Sequence, residues 1–137
     1  MLRYFLGAVG LMATLTVGAQ PDIYDAAEFM PVAPGCARMP GPEPSECTLR
    51  FVGAQLAEAL VWPASCANHG GGTALLSLVV DERGQVTAAE VLRSVHPDLD
   101  RAAAAAALRL PLLQPANEDG KPVKVRLTVP LKLQPPA

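Results

Sequence analysis

Between Val123 and Leu133 every odd-numbered residue is a branched apolar one: Val123, Val125, Leu127, Val129, Leu131 and Leu133. The even positions hold Lys124, Arg126, Thr128, Pro130 and Lys132. A period of two predicts a strand with one face on a core and the other in water, since a helix would spread those apolar side chains around its circumference. Burying the apolar face contributes at most roughly 9 to 18 kcal/mol before conformational entropy. A one-residue slip would turn every one of these side chains into solvent, so the register is strongly specified. Pro130 has no N–H to give to a ladder, which suits a sheet edge. An edge strand is a template for another chain's backbone.

Upstream, the pattern divides into a few elements. Residues 20–47 have no sustained period and read as an extended, proline-punctuated lead-in. From Thr48, a candidate N-cap, Leu49, Val52, Leu56 and Leu60 follow helical spacing, and Trp62-Pro63 ends that helix. Asn68 to Gly72 form a loop. Ala74 to Val80 is an aliphatic strand, closed by Asp81-Glu82-Arg83-Gly84, where Gly84 can supply the positive φ of a tight turn. Gln85 to Arg93 returns as a second strand. Its Val86, Ala89 and Val91 cannot share one face of a regular strand, so a bulge is expected near Thr87-Ala88.

His96-Pro97-Asp98-Leu99-Asp100 opens a second helix, with proline in the first turn and carboxylates at the positive end. Leu99, Ala102, Ala103, Ala106 and Leu110 form its expected buried stripe, and Pro111 stops it. The alanine run gives strong helix propensity and a thin face that can lie close to a sheet. Residues 111–120 read as a loop ending at Asp119-Gly120. The order helix, strand, turn, strand, helix, strand predicts an α+β fold: a small antiparallel sheet with two helices on one face.

Composition adds a compartment. Arg3, the apolar run from Tyr4 to Val17 and the small residues Val17-Gly18-Ala19 read as a secretory signal over residues 1–19, cleaved before Gln20. The run is short for the ~20 residues of a membrane span, although an uncleaved anchor is the alternative. The expected organisation is therefore 1–19 signal, 20–47 lead-in with a cysteine loop, and 48–137 folded domain. Formal net charge is −2, with an acidic amino half and a mildly basic carboxyl half. The excess is too small and dispersed for nucleic acid. With 4% aromatic residues, the core must be aliphatic. Cys36, Cys47 and Cys66 suggest one disulfide and one leftover thiol in an exported chain, and three pairings are open. Cys36 and Cys47 bracket a loop rich in proline and glycine, whose closure would stabilise by roughly 3 kcal/mol. Cys66 is the better candidate for the odd thiol.

Candidate chemistry is sparse. His69-Gly70-Gly71-Gly72 looks like an oxyanion-hole loop, but no G-x-S-x-G nucleophile motif accompanies it, and a flexible hinge before the first strand is the expected reading. The glycines also lack the lysine and hydroxyl of a phosphate loop. Cys66 and His69 offer two metal ligands, with Cys36, Cys47 and His96 as the only other candidates, and oxidation of the first two leaves too few for a closed zinc site. His96 beside Asp98 reads as a capping or solvent-exposed residue rather than a general acid or base. Asp98 and Asp100 answer the helix dipole. Lys124, Arg126 and Lys132 are by default a solvated strand face. No catalytic residue, metal, cofactor or small-molecule substrate is expected; a secreted enzyme using His69 or His96 is the remote alternative.

Several of these segments together resemble one family. GGTALLSLVVDERGQVTAAEVLRSVHPDLDRAA, with its V-V-D-x-x-G-x-V hairpin and V-L-R-S segment, is followed by P-x-x-Q-P-A and the G-K-P-V-x-V strand. In this order they resemble the carboxyl-terminal domain of TonB-family energy transducers, over about residues 62 to 133. Trp62-Pro63 stands where the family usually has Tyr-Pro. The P-G-C segment at Cys36, Cys47 and the following helix resemble an extended form of the domain, which supports pairing Cys36 with Cys47. The resemblance implies a periplasmic domain that grips the TonB-box peptide of an outer-membrane receptor by strand addition. By it, Val123, Lys124, Val125, Arg126, Leu127, Thr128 and Val129 would pair with the peptide. Energised members keep a membrane anchor and a long proline-rich spacer. Here the anchor reads as cleavable and the spacer as short, so a solitary exported binding domain is expected, with an anchored transducer as the alternative. The same edge allows a homodimer through the last strand.

Overall fold

Strand β1 (Gly72–Val80) lies in the middle of a three-stranded antiparallel sheet, between β2 (Val86–Arg93) and β5 (Val125–Leu133). The structure is a computed structural model and describes residues 23–136. The expected signal over residues 1–19 lies outside the described residues. Among the described residues, no helix is long and apolar enough to cross a membrane. Helix α1 (Glu46–Ala59) packs over β5, and α2 (Pro97–Ala107) packs over β2. The architecture is α+β, as the element order predicts.

The core follows the period of two. Ala74, Leu76, Leu78 and Val80 of β1, and Val125, Leu127, Val129, Leu131 and Leu133 of β5, are all buried. They meet Val52 and Leu56 of α1 and Leu99, Ala103, Ala106 and Ala107 of α2 in one cluster. The β1–β5 ladder runs without a shift from Gly72↔Leu133 to Val80↔Val125. In the β1–β2 ladder, Val79 faces Ala88 while Val80 faces Val86, so Thr87 is the extra residue. That bulge places Val86, Ala89 and Val91 opposite Val80, Leu78 and Leu76, all on the core face, as their spacing requires. A second shift skips Leu92, which is exposed.

Four sequence expectations need correction. The last strand is not continuous from Val123. Lys121–Val123 forms β4, which pairs with β3 (Ala116–Glu118) in a separate two-stranded sheet, and Lys124 joins it to β5. Parity is unbroken through Lys124, so the sequence period cannot register the change of partner. Residues 111–120 are accordingly not all loop: Asp119 (φ 52°) and Gly120 (φ 77°) make the two-residue turn of the β3–β4 hairpin. Thr48 is not the cap of α1. Ser45 is, its side chain accepting from the Thr48 amide at 3.1 Å, while the buried Thr48 hydroxyl accepts from the Ala33 amide at 3.1 Å. Helix α2 ends at Ala107 rather than Pro111, with Ala107 fully buried and Ala102 only half-buried, although Leu110 still reaches the core.

The lead-in is extended, but it is part of the core. Ala27, Met30, Val32 and Ala33 are buried, and single bridges join Phe29 to Asn117 and Val32 to Gln114. Cys36 and Cys47 are bonded, with Cα atoms 5.9 Å apart, which ties this segment to the first turn of α1. Isolated bridges leave no periodic trace in a sequence.

The β1–β2 turn is fixed by Asp81 and Gly84. Asp81 is buried and its Oδ1 accepts from the Arg83 and Gln85 amides, each at 2.9 Å, while Oδ2 meets the Arg83 guanidinium at 3.0 Å. Burial pushes this carboxyl's pKa up, but the amides of Gln85 and Arg83 and the Arg83 charge outweigh it and hold it below the usual carboxylate range. Gly84 has φ +91°, its carbonyl accepts from the Leu113 amide at 2.9 Å, and a Cβ there would stand 1.7 Å from the Leu113 carbonyl oxygen. Gly84→Ala is therefore expected to destabilise by at least about 2 kcal/mol in urea unfolding, from left-handed strain plus displacement of the Leu113 backbone. A depressed folded-state pKa contributes stability above the unfolded value that is lost as pH falls through the folded one. Unfolding free energy should thus drop below about pH 4, more steeply in the parent than in Asp81→Asn, with the variant about 1 to 3 kcal/mol weaker at pH 7.

Candidate peptide-binding edge

Strand β5 is one of the two outer strands of the sheet, and its backbone groups divide by parity. Residues in an antiparallel ladder point both N–H and C=O to the same side, alternating along the strand. The Arg126 amide donates away from β1, to the Tyr24 carbonyl at 2.9 Å, and the Lys124 carbonyl accepts from the Tyr24 amide at 2.8 Å. Even-numbered residues therefore present their backbone outward, and odd-numbered ones are used by β1. Pro130, opposite Leu75, belongs to the outward set, so its missing N–H removes nothing from the ladder. Thr128 and Lys132 carry the outward donors that remain. Among the described residues no other backbone or side chain bonds them.

The peptide edge expected over Val123–Val129 is thus divided in three. Val123 sits in β4, bound to Ala116. Lys124, Val125 and Arg126 are covered by Tyr24, which pairs parallel to Val125, and Asp25 adds an ion pair to Arg126 at 3.0 Å. Leu127 and Val129 offer side chains only to the core, leaving Thr128 as the open backbone position of the expected set. The open rim continues beyond it, through Pro130 and Lys132.

Alongside that rim, α1 stands as a wall. A groove of about 510 Å³ runs between Gly53, Ala54 and Ala57 of α1 and Pro130, Lys132 and Gln134. A second concavity of about 290 Å³ lies next to Thr128, bounded by Met30, Pro44 and Leu49. The short side chains on α1 leave the width that makes the groove. Their sequence signal, Gly53-Ala54 followed by Ala57, has meaning only once the helix is known to lie beside a strand edge. The arrangement offers an extended segment outward backbone groups on one side and a partly apolar wall on the other.

The other candidate groups gather at the start of α2. His96 caps that helix, its Nδ1 accepting from the Asp98 amide at 3.1 Å, as expected of a capping residue. The Cys66 thiol, buried at the 3₁₀ turn Ala64–Cys66, lies 3.3 Å from the same Nδ1. The His69 ring meets His96 edge-on with centroids 5.4 Å apart. Asp98 pairs with Arg101 and accepts from Ser65, whereas Asp100 accepts from the Val95 amide at 3.1 Å, so the two carboxylates serve different partners. The glycine loop is tied down at Gly71. The Gly71 amide donates to His69 Nδ1 at 2.9 Å, and a Cβ on Gly71, whose φ is +83°, would stand 2.0 Å from the Leu133 carbonyl oxygen. An amide so engaged has no donor for an oxyanion.

A family model described as Gram-negative bacterial TonB protein C-terminal matches residues 63–133, from Pro63 to the end of β5. Among solved structures, the NMR solution structure of the Helicobacter pylori TonB C-terminal domain is similar at 20% identity and a TM-score of 0.48, covering 65% of this chain and 95% of that one. No curated protein matches. The family is associated with outer-membrane transport. The matched stretch holds the V-V-D-x-x-G-x-V hairpin, α2 and the whole of β5, more than half of the sequence, and the chain belongs to the family of Gram-negative bacterial TonB C-terminal domains.

Proposed function

We propose that this chain is an exported, periplasmic binding domain that takes an extended receptor peptide of the TonB-box type onto the rim of β5. The observation that carries the reading is the unpaired outward backbone of Thr128 and Lys132, beside a groove walled by α1. The peptide enters at Thr128 and runs along Pro130 and Lys132. Extending the pairing back to Arg126 and Lys124 requires Tyr24 to leave, since it holds the same donors and acceptors. Backbone hydrogen bonds supply the attraction, while Lys132, Thr128 and the small residues of α1 select side chains. Arg126 joins them only if its pair with Asp25 opens.

A second copy of the chain would compete for the same rim, and Pro130 takes the same donor from its ladder as from the peptide's. Export through residues 1–19, with the mature chain starting at Gln20, completes the reading. Mass spectrometry of the mature protein checks this, and an intact amino terminus would instead support an anchored transducer.

Titration of the full mature chain with synthetic TonB-box peptides is expected to shift the amides of Thr128 and Lys132 most. Unmoved amides at both positions would overturn the proposal. Thr128→Pro removes an outward N–H without touching the ladder to β1. It should leave the melting temperature within a few degrees while weakening peptide binding about 5-fold, the value of one net hydrogen bond of ~1 kcal/mol. Sedimentation velocity of the chain alone, read against concentration, reports whether a second copy takes the rim instead.

A further inference from the structure

The junction between the 3₁₀ turn Ala64–Cys66 and the start of α2 gathers three different kinds of metal ligand. Cys66 Sγ, His96 Nδ1 and a carboxylate oxygen of Asp98 all lie within 4.8 Å of one another. The Sγ to Nδ1 distance is 3.3 Å. Two ligands of one tetrahedral zinc, at ~2.3 Å for sulfur and ~2.0 Å for nitrogen, stand about 3.5 Å apart, so the Cys66–His96 pair is close to a ligating spacing before any ion arrives, with the Asp98 carboxylate within reach. We propose that Cys66, His96 and Asp98 form a three-ligand site for a zinc-class divalent cation, with the fourth position open to water.

Tautomer and charge both favour this set. His96 Nδ1 accepts the Asp98 amide, so its lone pair is on that nitrogen, 3.3 Å from the cysteine sulfur. His69 is excluded as the fourth ligand as it stands. Its Nδ1 accepts the Gly71 amide, which leaves the ring proton on Nε2. A bare cation at a helix N-terminus meets the positive end of the dipole. Here the Cys66 thiol releases its proton to solvent as the metal–sulfur bond forms, and thiolate plus carboxylate cancel the two charges of the ion. The ion takes the Nδ1 lone pair from the Asp98 amide. It also draws Asp98 from Arg101, whose side chain is 73% exposed and free to turn into water.

A thiolate, an imidazole and one carboxylate suit zinc, whereas calcium and magnesium want oxygen shells. Cys66 is buried while His96 and Asp98 are half-buried, so the ion approaches from the helix side. The remaining cysteines are held in the Cys36–Cys47 bond and do not compete.

Zinc titration of the full mature chain tests this, with the disulfide intact and no thiol reductant present. One ion per chain is expected, with a raised melting temperature, and cobalt(II) in its place should show thiolate-to-metal charge-transfer absorption. Cys66→Ser should abolish that absorption and weaken zinc binding at least about 100-fold, beyond the roughly 10- to 100-fold that loss of an outlying partner costs. His96→Asn keeps a capping side chain for α2 but removes the imidazole. It should match Cys66→Ser in lost affinity while melting close to the parent. Zinc binding of equal strength in the parent and both variants, cobalt spectra without a thiolate band, or no binding at all would each overturn the proposal.

Discussion

The pairing of β1 with β5 is the constraint from which the rest follows. These strands are far apart in sequence, so their ladder closes a long loop at an entropic cost that only burial offsets. Its register is held by the alternation on both strands, with Leu76 opposite Val129 and Leu78 opposite Leu127 at the centre of the core. Once β5 is laid down in that register, the two helices have a face to cover. The even-numbered backbone of β5 is then directed outward with no freedom left, because side-chain face and hydrogen-bonding side alternate together along a strand.

Two close backbone approaches fasten the ends of this sheet. At one end Gly84 receives the Leu113 backbone, which brings the segment after α2 back against the β1–β2 turn. At the other, Gly71 lies against the Leu133 carbonyl, so the glycine loop closes the sheet instead of serving as chemistry. Both glycines have positive φ, and at both a side chain would collide with backbone rather than with a movable side chain. The disulfide and the Thr48 hydroxyl do similar work for the lead-in, holding residues 23–33 beside α1 and the β3–β4 hairpin.

The placement of Tyr24 gives the edge its particular character. A strand that carried its outward donors bare from end to end would invite any extended chain. Here one end is occupied by the chain's own lead-in, the middle lacks a donor at Pro130, and Thr128 and Lys132 stand open beside the α1 groove. The edge is thereby reduced to a short open stretch beside a wall.

Much of this was legible in the residues. The alternation from Val123 to Leu133 marked a strand and its buried face, and Pro130 suited it to an edge, although β5 itself begins only at Val125. The uneven spacing of Val86, Ala89 and Val91 required a bulge near Thr87-Ala88, which the register places at Thr87, and His96-Pro97 marked the start of α2. What the sequence left undecided depended on contacts between distant segments. The break at Lys124 turns on a change of pairing partner that parity does not record. The burial of Ala27, Met30, Val32 and Ala33 comes from single bridges without a period. The meeting of Cys66 with His96 and Asp98 required α2 to be docked on the sheet first. Periodicity reports which face of an element is apolar, but only tertiary packing decides which distant residue that element will meet.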